Sequence, residues 1–317
     1  MSAATPVFAS SGNLFADRRY EYARAAAKDG DDAAAADLLE QALELAPDWA
    51  AAWFALGEAC ERQGARDQAA RAFAQCIASD PDDRHGASLR LALGGGAPAP
   101  VAMGAAYVRG LFDQYAPRFD AHLTGALGYR GPQILEGALR AACDARGRGF
   151  HFAAVLDLGC GTGLMAAALD PHFDTIHGVD LSPGMIAQAR KTGLYDSLEA
   201  VEMTGWMKSR PAAQASLVTA ADVLVYVGDL SALFAQAARV LDPARGLFAF
   251  TTQRLEGEGY ALGTDMRFAH APEYVRSCAQ AAGLQVVLLE EQSTRRDAGR
   301  DVPGLVCVLE LAREAAS

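Results

Sequence analysis

The stretch Val155-Leu-Asp-Leu-Gly-Cys-Gly-Thr-Gly163 decides the fold of this 317-residue chain. An apolar run leads here into glycines at every second position, which predicts a β-strand, a tight turn and then a helix. A second apolar run, residues 175–179, ends at the carboxylate of Asp180. Two such strands, with the turn and the acid at their ends, build a nucleotide-type pocket at the carboxyl edge of a parallel sheet.

The spacing of the glycines distinguishes between two classes of ligand. A dinucleotide site has the pattern G-x-G-x-x-G, whose third glycine would stand where this chain has Leu164. Here Gly159, Gly161 and Gly163 read G-x-G-x-G, and Asp157 precedes them. The segment from Asp157 to Gly163 resembles motif I of class I S-adenosylmethionine-dependent methyltransferases. The resemblance implies S-adenosylmethionine as the cofactor.

The same resemblance implies a set of cofactor contacts. In that family the glycine loop holds the methionine end of the cofactor, and the acid after the second strand holds the ribose. A carboxylate at Asp180 suits a vicinal diol because it accepts two hydrogen bonds. Leu181 and Met185 are expected to flank the adenine. Glu202 is expected near the adenine amine, with a solvated loop acid as the alternative. The expected contacts in this part of the chain are Asp157, Gly159, Cys160, Gly161, Asp180, Leu181, Met185 and Glu202, of which Cys160 is expected to pack rather than react.

Residues 112–120 resemble the N-terminal lid helix of small-molecule methyltransferases. In those enzymes an aromatic side chain covers the methionine end of the cofactor. An aromatic face attracts a sulfonium through a cation–π interaction. Tyr115 and Phe119 are the candidates for this contact, and the alternative is that both are core residues.

Candidate catalytic residues follow from the reaction itself. Methyl transfer from a sulfonium is an in-line displacement, so a base is needed only if the acceptor is protonated at neutral pH. His270, as a base, and Asp222 are the candidates, and Tyr226 and His122 are weaker ones. A structural role is the alternative for His270, and capping of a turn is the alternative for Asp222. Arg295 has two interpretations, a bidentate contact with an acceptor carboxylate or a surface salt bridge.

Composition restricts the classes of partner. The net charge of −11 and the pI near 5.0 argue against a nucleic-acid groove. Residues 220–226 also lack the Asn-Pro-Pro-Tyr type of motif that is found in enzymes methylating bases. The six cysteines show no zinc-ligand spacing, so no metal is expected. We expect a cytoplasmic protein, because the sequence contains neither a signal peptide nor an apolar run of membrane-spanning length.

The first hundred residues are rich in alanine and repetitive. Pro47 and Pro81 stand 34 residues apart, which is the period of tetratricopeptide repeats. Arg19 occupies the position where the first repeat should have an aromatic residue. The other pattern positions hold Ala23, Ala35, Leu39 and Ala42 in the first repeat, and Trp53, Leu56, Gly57, Ala69 and Phe73 in the second. The sequence therefore predicts a small all-α repeat domain over residues 1–93, in which residues 83–93 cap the stack.

Two repeats and a cap are fewer than repeat domains usually need for independent stability. We therefore expect the repeats to lean on the catalytic domain or on a second chain, with a homodimer as one option. A purely stabilising role and the docking of a protein partner or substrate are equally compatible with the sequence. A Gly/Pro-rich linker is predicted at residues 94–104, and the methyltransferase domain at residues 105–317.

Apolar runs alternate with helical patterns from residue 153 to residue 311. The predicted strands are residues 153–157, 175–179, 198–203, 217–223, 246–252, 285–290 and 305–311. Because the last two follow each other directly, the order predicts a doubly wound, Rossmann-like seven-stranded α/β sheet with an antiparallel edge.

Nearly the whole chain resembles bacterial predicted methyltransferases with tetratricopeptide repeats. Its catalytic part also looks like the trans-aconitate and malonyl-carrier-protein methyltransferase group. The resemblance is specific for the cofactor and the architecture but does not identify the acceptor. Because nucleic acid is disfavoured, the first hypothesis is methyl transfer to a small-molecule acceptor, with oxygen as one option for the methylated atom. Two alternatives stay open: a protein methyltransferase whose repeats dock the substrate, and a cofactor-binding scaffold without activity.

Overall fold

The computed structural model describes residues 10–116, 129–297 and 299–312. The chain divides into two compact units, of which the first ends at Gly110 and the second begins at Leu111. The predicted positions of the linker and of the domain boundary stay predictions.

The first unit consists of helices that pack in consecutive pairs. Asn13 and Asp31 cap the first two helices, because their side chains accept hydrogen bonds from backbone N–H groups in the first turn. The helices are α1 (Leu14–Lys28), α2 (Asp32–Leu45), α3 (Ala50–Arg62), α4 (Arg66–Ser79), α5 (Ala87–Leu93) and the start of α6 (Ala105–Tyr115).

The repeat positions explain how α3 and α4 approach each other. A Cβ at Gly57 would lie 2.4 Å from the ring of Phe73, so the glycine makes room for the buried aromatic residue. The indole N–H of Trp53 donates to the carbonyl of Pro47 at 2.7 Å, which ties the second pair of helices to the preceding turn. In the first repeat the buried aromatic residue is Tyr20, one position after Arg19, and its ring lies 4.7 Å from that of Trp49.

The second unit is built on a mixed sheet. The strands of this unit are β1 (Phe152–Leu158), β2 (Phe173–Asp180), β3 (Ser197–Ala200), β4 (Leu217–Ala220), β5 (Leu247–Arg254), β6 (Tyr260–Leu262), β7 (Phe268–His270), β8 (Leu284–Glu291), β9 (Arg296–Asp297), β10 (Arg300–Asp301) and β11 (Gly304–Leu311). Among the described residues nine strands join in the mixed sheet, and seven of them follow the order β3-β2-β1-β4-β5-β11-β8. The first five strands of this order are parallel, and β11 is antiparallel to both of its neighbours.

Apolar side chains on the sheet and its helices form two buried clusters. The sheet is therefore doubly wound, as predicted, with parallel strands that are buried on both sides. The helices are α7 (Gly131–Ala145), α8 (Leu164–Leu169), α9 (Pro183–Thr192), α10 (Met203–Ser209), α11 (Ser231–Val240) and α12 (Pro272–Ala281), with a short 3₁₀ helix at Leu224–Tyr226.

The predicted strands differ from the structure mainly at their ends. The strand β3 stops at Ala200, so Glu202 does not end a strand but caps α10. The strand β4 stops at Ala220 because the chain turns at Asp222, whose φ is +60°. The strands β6 and β7, which the sequence analysis did not predict, have three residues each and are too short to show a periodic pattern. No helix in the described ranges has both the length and the apolar character of a membrane span.

The close approach at Gly57 gives a stability prediction. Gly57→Ala should lower the free energy of unfolding by about 1–3 kcal/mol, because the new methyl group overpacks against Phe73. Gly137→Ala is the control, since Gly137 also lies in a helix, but a Cβ added there would meet no neighbouring side chain of the described residues within 4 Å. That variant should gain about 0.5–1 kcal/mol from its higher helix propensity. Urea denaturation followed by tryptophan fluorescence measures both changes, and an equal response of the two variants would contradict the packing argument.

Candidate active site

The loop after β1 is shaped by glycine. Gly159, Gly161 and Gly163 have φ values of +61°, +54° and +96°, which side-chain-bearing residues rarely adopt. A Cβ at Gly159 would also lie 2.5 Å from a methyl carbon of Val223. The loop therefore lies directly against the segment that follows β4, at the carboxyl edge of the sheet.

Asp180, at the end of β2, holds this loop in place. Its Oδ2 accepts a hydrogen bond from the backbone N–H of Gly161 at 3.0 Å, and its Oδ1 accepts one from Ser182 at 2.8 Å. Burial raises the pKa of Asp180, and these backbone hydrogen bonds oppose the rise. The acid that the sequence singled out and the glycine loop are thus in direct contact.

Asp157 is buried beneath the loop. It is 1% exposed, and its two oxygens accept hydrogen bonds from the hydroxyls of Tyr195 at 2.6 Å and Thr219 at 2.8 Å. Burial raises its pKa to about 6, although the two hydroxyls oppose the rise. No sequence pattern points to these two partners, because they come from distant segments.

The side chain of Cys160, in the loop, packs against Gly178 of β2. Burial raises the pKa of the Cys160 thiol, so this cysteine is inert and packs, as expected for a core thiol. A Cβ at Gly178 would lie 2.7 Å from the ring of Tyr195 and 3.0 Å from the sulfur of Cys160. A glycine in the middle of β2 therefore provides the space into which these side chains fit.

A carboxylate from α6 reaches the same edge of the sheet. Asp113 accepts hydrogen bonds from the hydroxyl of Ser182 and, at 3.1 Å, from the backbone N–H of Gly184. Because Ser182 is the N-cap of α9, Asp113 fixes the segment that begins at Asp180. The sequence analysis missed Asp113.

A second cluster lies after β4. The backbone N–H of Asp222 donates to Thr251 at 2.8 Å, and its carboxylate lies 4.0 Å from the guanidinium of Arg267. Burial raises the pKa of Asp222, whereas the positive charge of Arg267 and a hydrogen bond from Thr294 lower it. The Tyr226 ring lies 5.8 Å from this guanidinium. Burial likewise raises the pKa values of the Tyr226 and Tyr129 hydroxyls, which places a group of titratable side chains in a desolvated region.

Two parts of the chain match known protein families. Residues 155–244 match the methyltransferase domain family, and residues 17–93 match a tetratricopeptide repeat family. The chain thus joins a methyltransferase domain, matched over residues 155–244, to tetratricopeptide repeats, matched over residues 17–93. Both parts of the predicted resemblance are thereby confirmed.

Three known proteins illustrate the similarity of the methyltransferase domain. Methyltransferase-like protein 27 of Homo sapiens is 43% identical over 88 residues, 27% of this chain and 34% of that protein. The ubiquinone biosynthesis O-methyltransferase of Xanthomonas oryzae pv. oryzae is 30% identical over 105 residues, 32% of this chain and 44% of that protein. The matches thus span less than half the length of these relatives. The 1,6-didemethyltoxoflavin-N1-methyltransferase of Burkholderia thailandensis shares the fold, with a TM-score of 0.52, 17% identity and coverage of 68% of this chain and 94% of that chain.

The other predicted cofactor contacts differ in how deeply they are buried. Leu181 is half-buried after β2, whereas Met185 on α9 is fully buried in the core. Glu202 is exposed, and its carboxylate accepts hydrogen bonds from Thr204 and Gly205 at the start of α10. Its carboxylate therefore serves as a helix cap.

Only one of the two lid candidates, Tyr115, lies in the described residues. Tyr115 is half-buried in the last turn of α6, two residues after Asp113. Phe119 lies outside the described residues, as does the weaker catalytic candidate His122.

His270 has an environment unlike the one expected of a base. It is fully buried, Nε2 faces the carbonyls of Val227 and Gly228 at 2.9 and 3.0 Å, and Nδ1 lies 2.7 Å from the Thr252 hydroxyl. The two carbonyls assign the proton to Nε2, so Nδ1 accepts from Thr252. Burial lowers the pKa of His270 to about 4. The ring is therefore neutral at pH 7, and its contacts hold the turn at residues 227–228.

Arg295 forms an ion pair, as one of its two interpretations had it, but its side chain does not lie at the surface. The side chain of Arg295 is 5% exposed, and one of its terminal nitrogens lies 3.6 Å from the carboxylate of Asp265. It is thus a buried cation in the second unit, next to Thr294.

Asp157 gives a pH prediction. A carboxyl whose pKa is raised on folding stabilises the fold fully only below its ordinary value of 3.8, and that stability is lost as the pH rises through about 6. Asp157→Asn removes the buried charge and should therefore be more stable than the wild type at pH 8, by about 2–3 kcal/mol. The difference should shrink as the pH falls from 6 towards 4. Urea denaturation at several pH values measures it, and a difference that does not change with pH would contradict the argument.

Proposed function

We propose that this protein is an S-adenosylmethionine-dependent methyltransferase that acts on a small-molecule acceptor, at an acceptor oxygen. The hydrogen bond between Asp180 and the glycine loop is the observation that carries the proposal. It brings a half-buried carboxylate, with further acceptor capacity, next to a loop whose glycines carry no side chains. These donors and acceptors fit a ligand that has a ribose diol and an amino-acid end bound by the backbone of the loop.

The proposed cofactor contacts divide into three groups. Asp180 would bind the ribose hydroxyls, and Leu181 and Met185 would border the adenine, with Glu202 at its far end. The backbone of Gly159, Cys160 and Gly161 would hold the amino-acid end, and the buried Asp157 would position this loop from below. Tyr115 and Phe119 would cover the sulfonium.

When bound, S-adenosylmethionine supplies an electrophilic methyl group for in-line transfer to the acceptor. The protein's part is to orient the acceptor and to exclude water. Asp222 and Tyr226 lie in the segment after β4, whose Val223 packs against the loop residue Gly159, so they would contact the acceptor. An acceptor that is already an oxyanion needs no base, and a hydroxyl acceptor would lose its proton to Asp222. His270 has both ring nitrogens engaged, so we propose that it positions the turn next to this site.

The small-molecule acceptor is supported by the O-methyltransferase of ubiquinone biosynthesis among the relatives. The tetratricopeptide repeats support a protein interaction as well, and we propose that they bind a protein partner or a second copy of this chain rather than the acceptor.

Cofactor binding tests the first half of the proposal. S-adenosylhomocysteine should raise the melting temperature, because a ligand that binds only the folded state stabilises it. Asp180→Asn should weaken this ligand by about 10- to 100-fold in isothermal titration calorimetry, because a hydrogen bond to a charged group contributes about 1.5–3 kcal/mol.

Asp174→Asn is the matched control, since Asp174 is a surface acid on the same strand β2. It should bind S-adenosylhomocysteine as the wild type does. No thermal shift in the wild type would contradict a methyltransferase function, and equal affinities of all three proteins would remove Asp180 from the site.

The acceptor class is tested with radiolabelled S-adenosylmethionine and a lysate of the native cells, separated into proteins and small molecules. We expect label in the small-molecule fraction. Label confined to the protein fraction would overturn the small-molecule acceptor and favour docking of a protein substrate by the repeats.

A further inference from the structure

A cavity opens beside the hairpin that carries Arg295. It has a volume of about 320 Å³ and is lined by Arg130, Ser293, Arg295, Arg296 and Asp301. Three of these five side chains are arginines, in a chain whose net charge is −11. A concentration of cations in an acidic protein is the pattern of an anion-binding site.

Arg295 lies deepest in this lining. Its side chain is 5% exposed, and its Nε makes no hydrogen bond with any described residue. The carboxylate of Asp265 lies 3.6 Å from one terminal nitrogen, beyond hydrogen-bonding distance, and accepts instead from Gln253 at 2.7 Å. The guanidinium is therefore desolvated without a complete set of acceptors.

Another buried charge in the same unit is satisfied differently. Glu310 is 4% exposed, and guanidinium nitrogens of Arg146 and Arg148 lie 2.8 and 2.9 Å from its two oxygens. A buried charge is tolerated when such partners compensate for its desolvation. The Nε of Arg295, which lines the cavity, lacks such a partner among the described residues.

The other cations are at the rim. Arg130 and Arg296 are exposed, and Arg296 pairs with Asp301 at 2.9 Å, with both side chains 65% exposed. An exposed pair of this kind is weak and is readily exchanged for another anion. An incoming anion would meet these rim arginines first and Arg295 last.

Hydrogen bonds connect the cavity to the proposed acceptor site. The backbone N–H of Arg130 donates to the carbonyl of Thr294 at 2.9 Å, and the Thr294 side chain is hydrogen-bonded to Asp222. Val223, next in the chain, contacts Gly159 of the glycine loop. The cavity therefore borders the carboxyl edge of the sheet.

We propose that Arg295 binds a carboxylate of the methyl acceptor. The Nε edge of a guanidinium presents two parallel N–H groups, which match the two oxygens of a carboxylate. Arg130 and Arg296 attract the anion, and the Ser293 hydroxyl in the wall donates to the backbone carbonyl of Arg295 at 2.7 Å. The bound carboxylate anchors the acceptor, while a different oxygen of the same molecule faces Asp222. This assignment of the substrate as a carboxylic acid rests on the methyltransferase function proposed above.

Succinate is the probe for this site, its neutral diamide is the matched ligand control, and inorganic phosphate is the competing oxyanion. Binding is followed by titration calorimetry and by the Nε–H resonances of the arginines in NMR spectra of the full chain. Arg295→Lys identifies the resonance of Arg295. We expect succinate to bind in the millimolar range and to shift this resonance, and we expect the diamide to have no effect.

Two further variants test the role of the side chain. Arg295→Gln should abolish succinate binding, and Arg295→Lys, which keeps the charge but loses the planar fork, should weaken it by about tenfold. Arg300→Gln is the control, because Arg300 is an exposed arginine of the same hairpin that does not line the cavity. It should bind succinate as the wild type does. S-adenosylhomocysteine should bind all of these proteins equally, which also reports that each variant is folded.

The outcomes separate this inference from the function on which it rests. The inference is overturned if S-adenosylhomocysteine binds but succinate either fails to bind the wild type or binds Arg295→Gln equally well. Binding of phosphate alone would overturn the choice of a carboxylate. If S-adenosylhomocysteine fails to bind the wild type, the proposed function itself fails.

Discussion

The contact on which the candidate site depends is the hydrogen bond from the backbone of Gly161 to the carboxylate of Asp180. It joins the ends of two neighbouring parallel strands, β1 and β2, and fixes a loop whose glycines have positive φ values. Below the loop, the Tyr195 and Thr219 hydroxyls satisfy the buried carboxylate of Asp157. Removing any of these partners would leave a buried charge or an unsupported turn.

Charge is distributed unevenly along the carboxyl edge of the sheet. The acids Asp157 and Asp180 belong to β1 and β2. The buried cation Arg267 lies between β6 and β7, and the buried cation Arg295 follows β8. Asp222, after β4, stands between the two groups and within 4.0 Å of Arg267. The proposed cofactor side is thus acidic, which suits a cationic sulfonium, and the proposed acceptor side is basic, which suits an anion.

Most of the fold could be predicted because its signals are local. The glycine loop, the strand-ending Asp180 and the 34-residue repeat can each be read from a short window, and the doubly wound sheet follows from the predicted alternation of strands and helices. The partners of Asp157 and the burial of Arg295 could not be predicted, because tertiary packing brings them together from distant segments. Glu202 was wrongly predicted from a local pattern, since β3 ends three residues before the predicted end and the carboxylate caps a helix instead. His270 was chosen for its ordinary pKa, which burial changes.

The most direct measurement is the amide NMR spectrum of the full chain during addition of S-adenosylhomocysteine. The account predicts that the amide resonances of Gly159 and Gly161 shift first and saturate with the same affinity as that of Ser182, because the ligand binds where the loop meets Asp180. Saturable shifts confined to other parts of the protein, with these three resonances unchanged, would contradict the account.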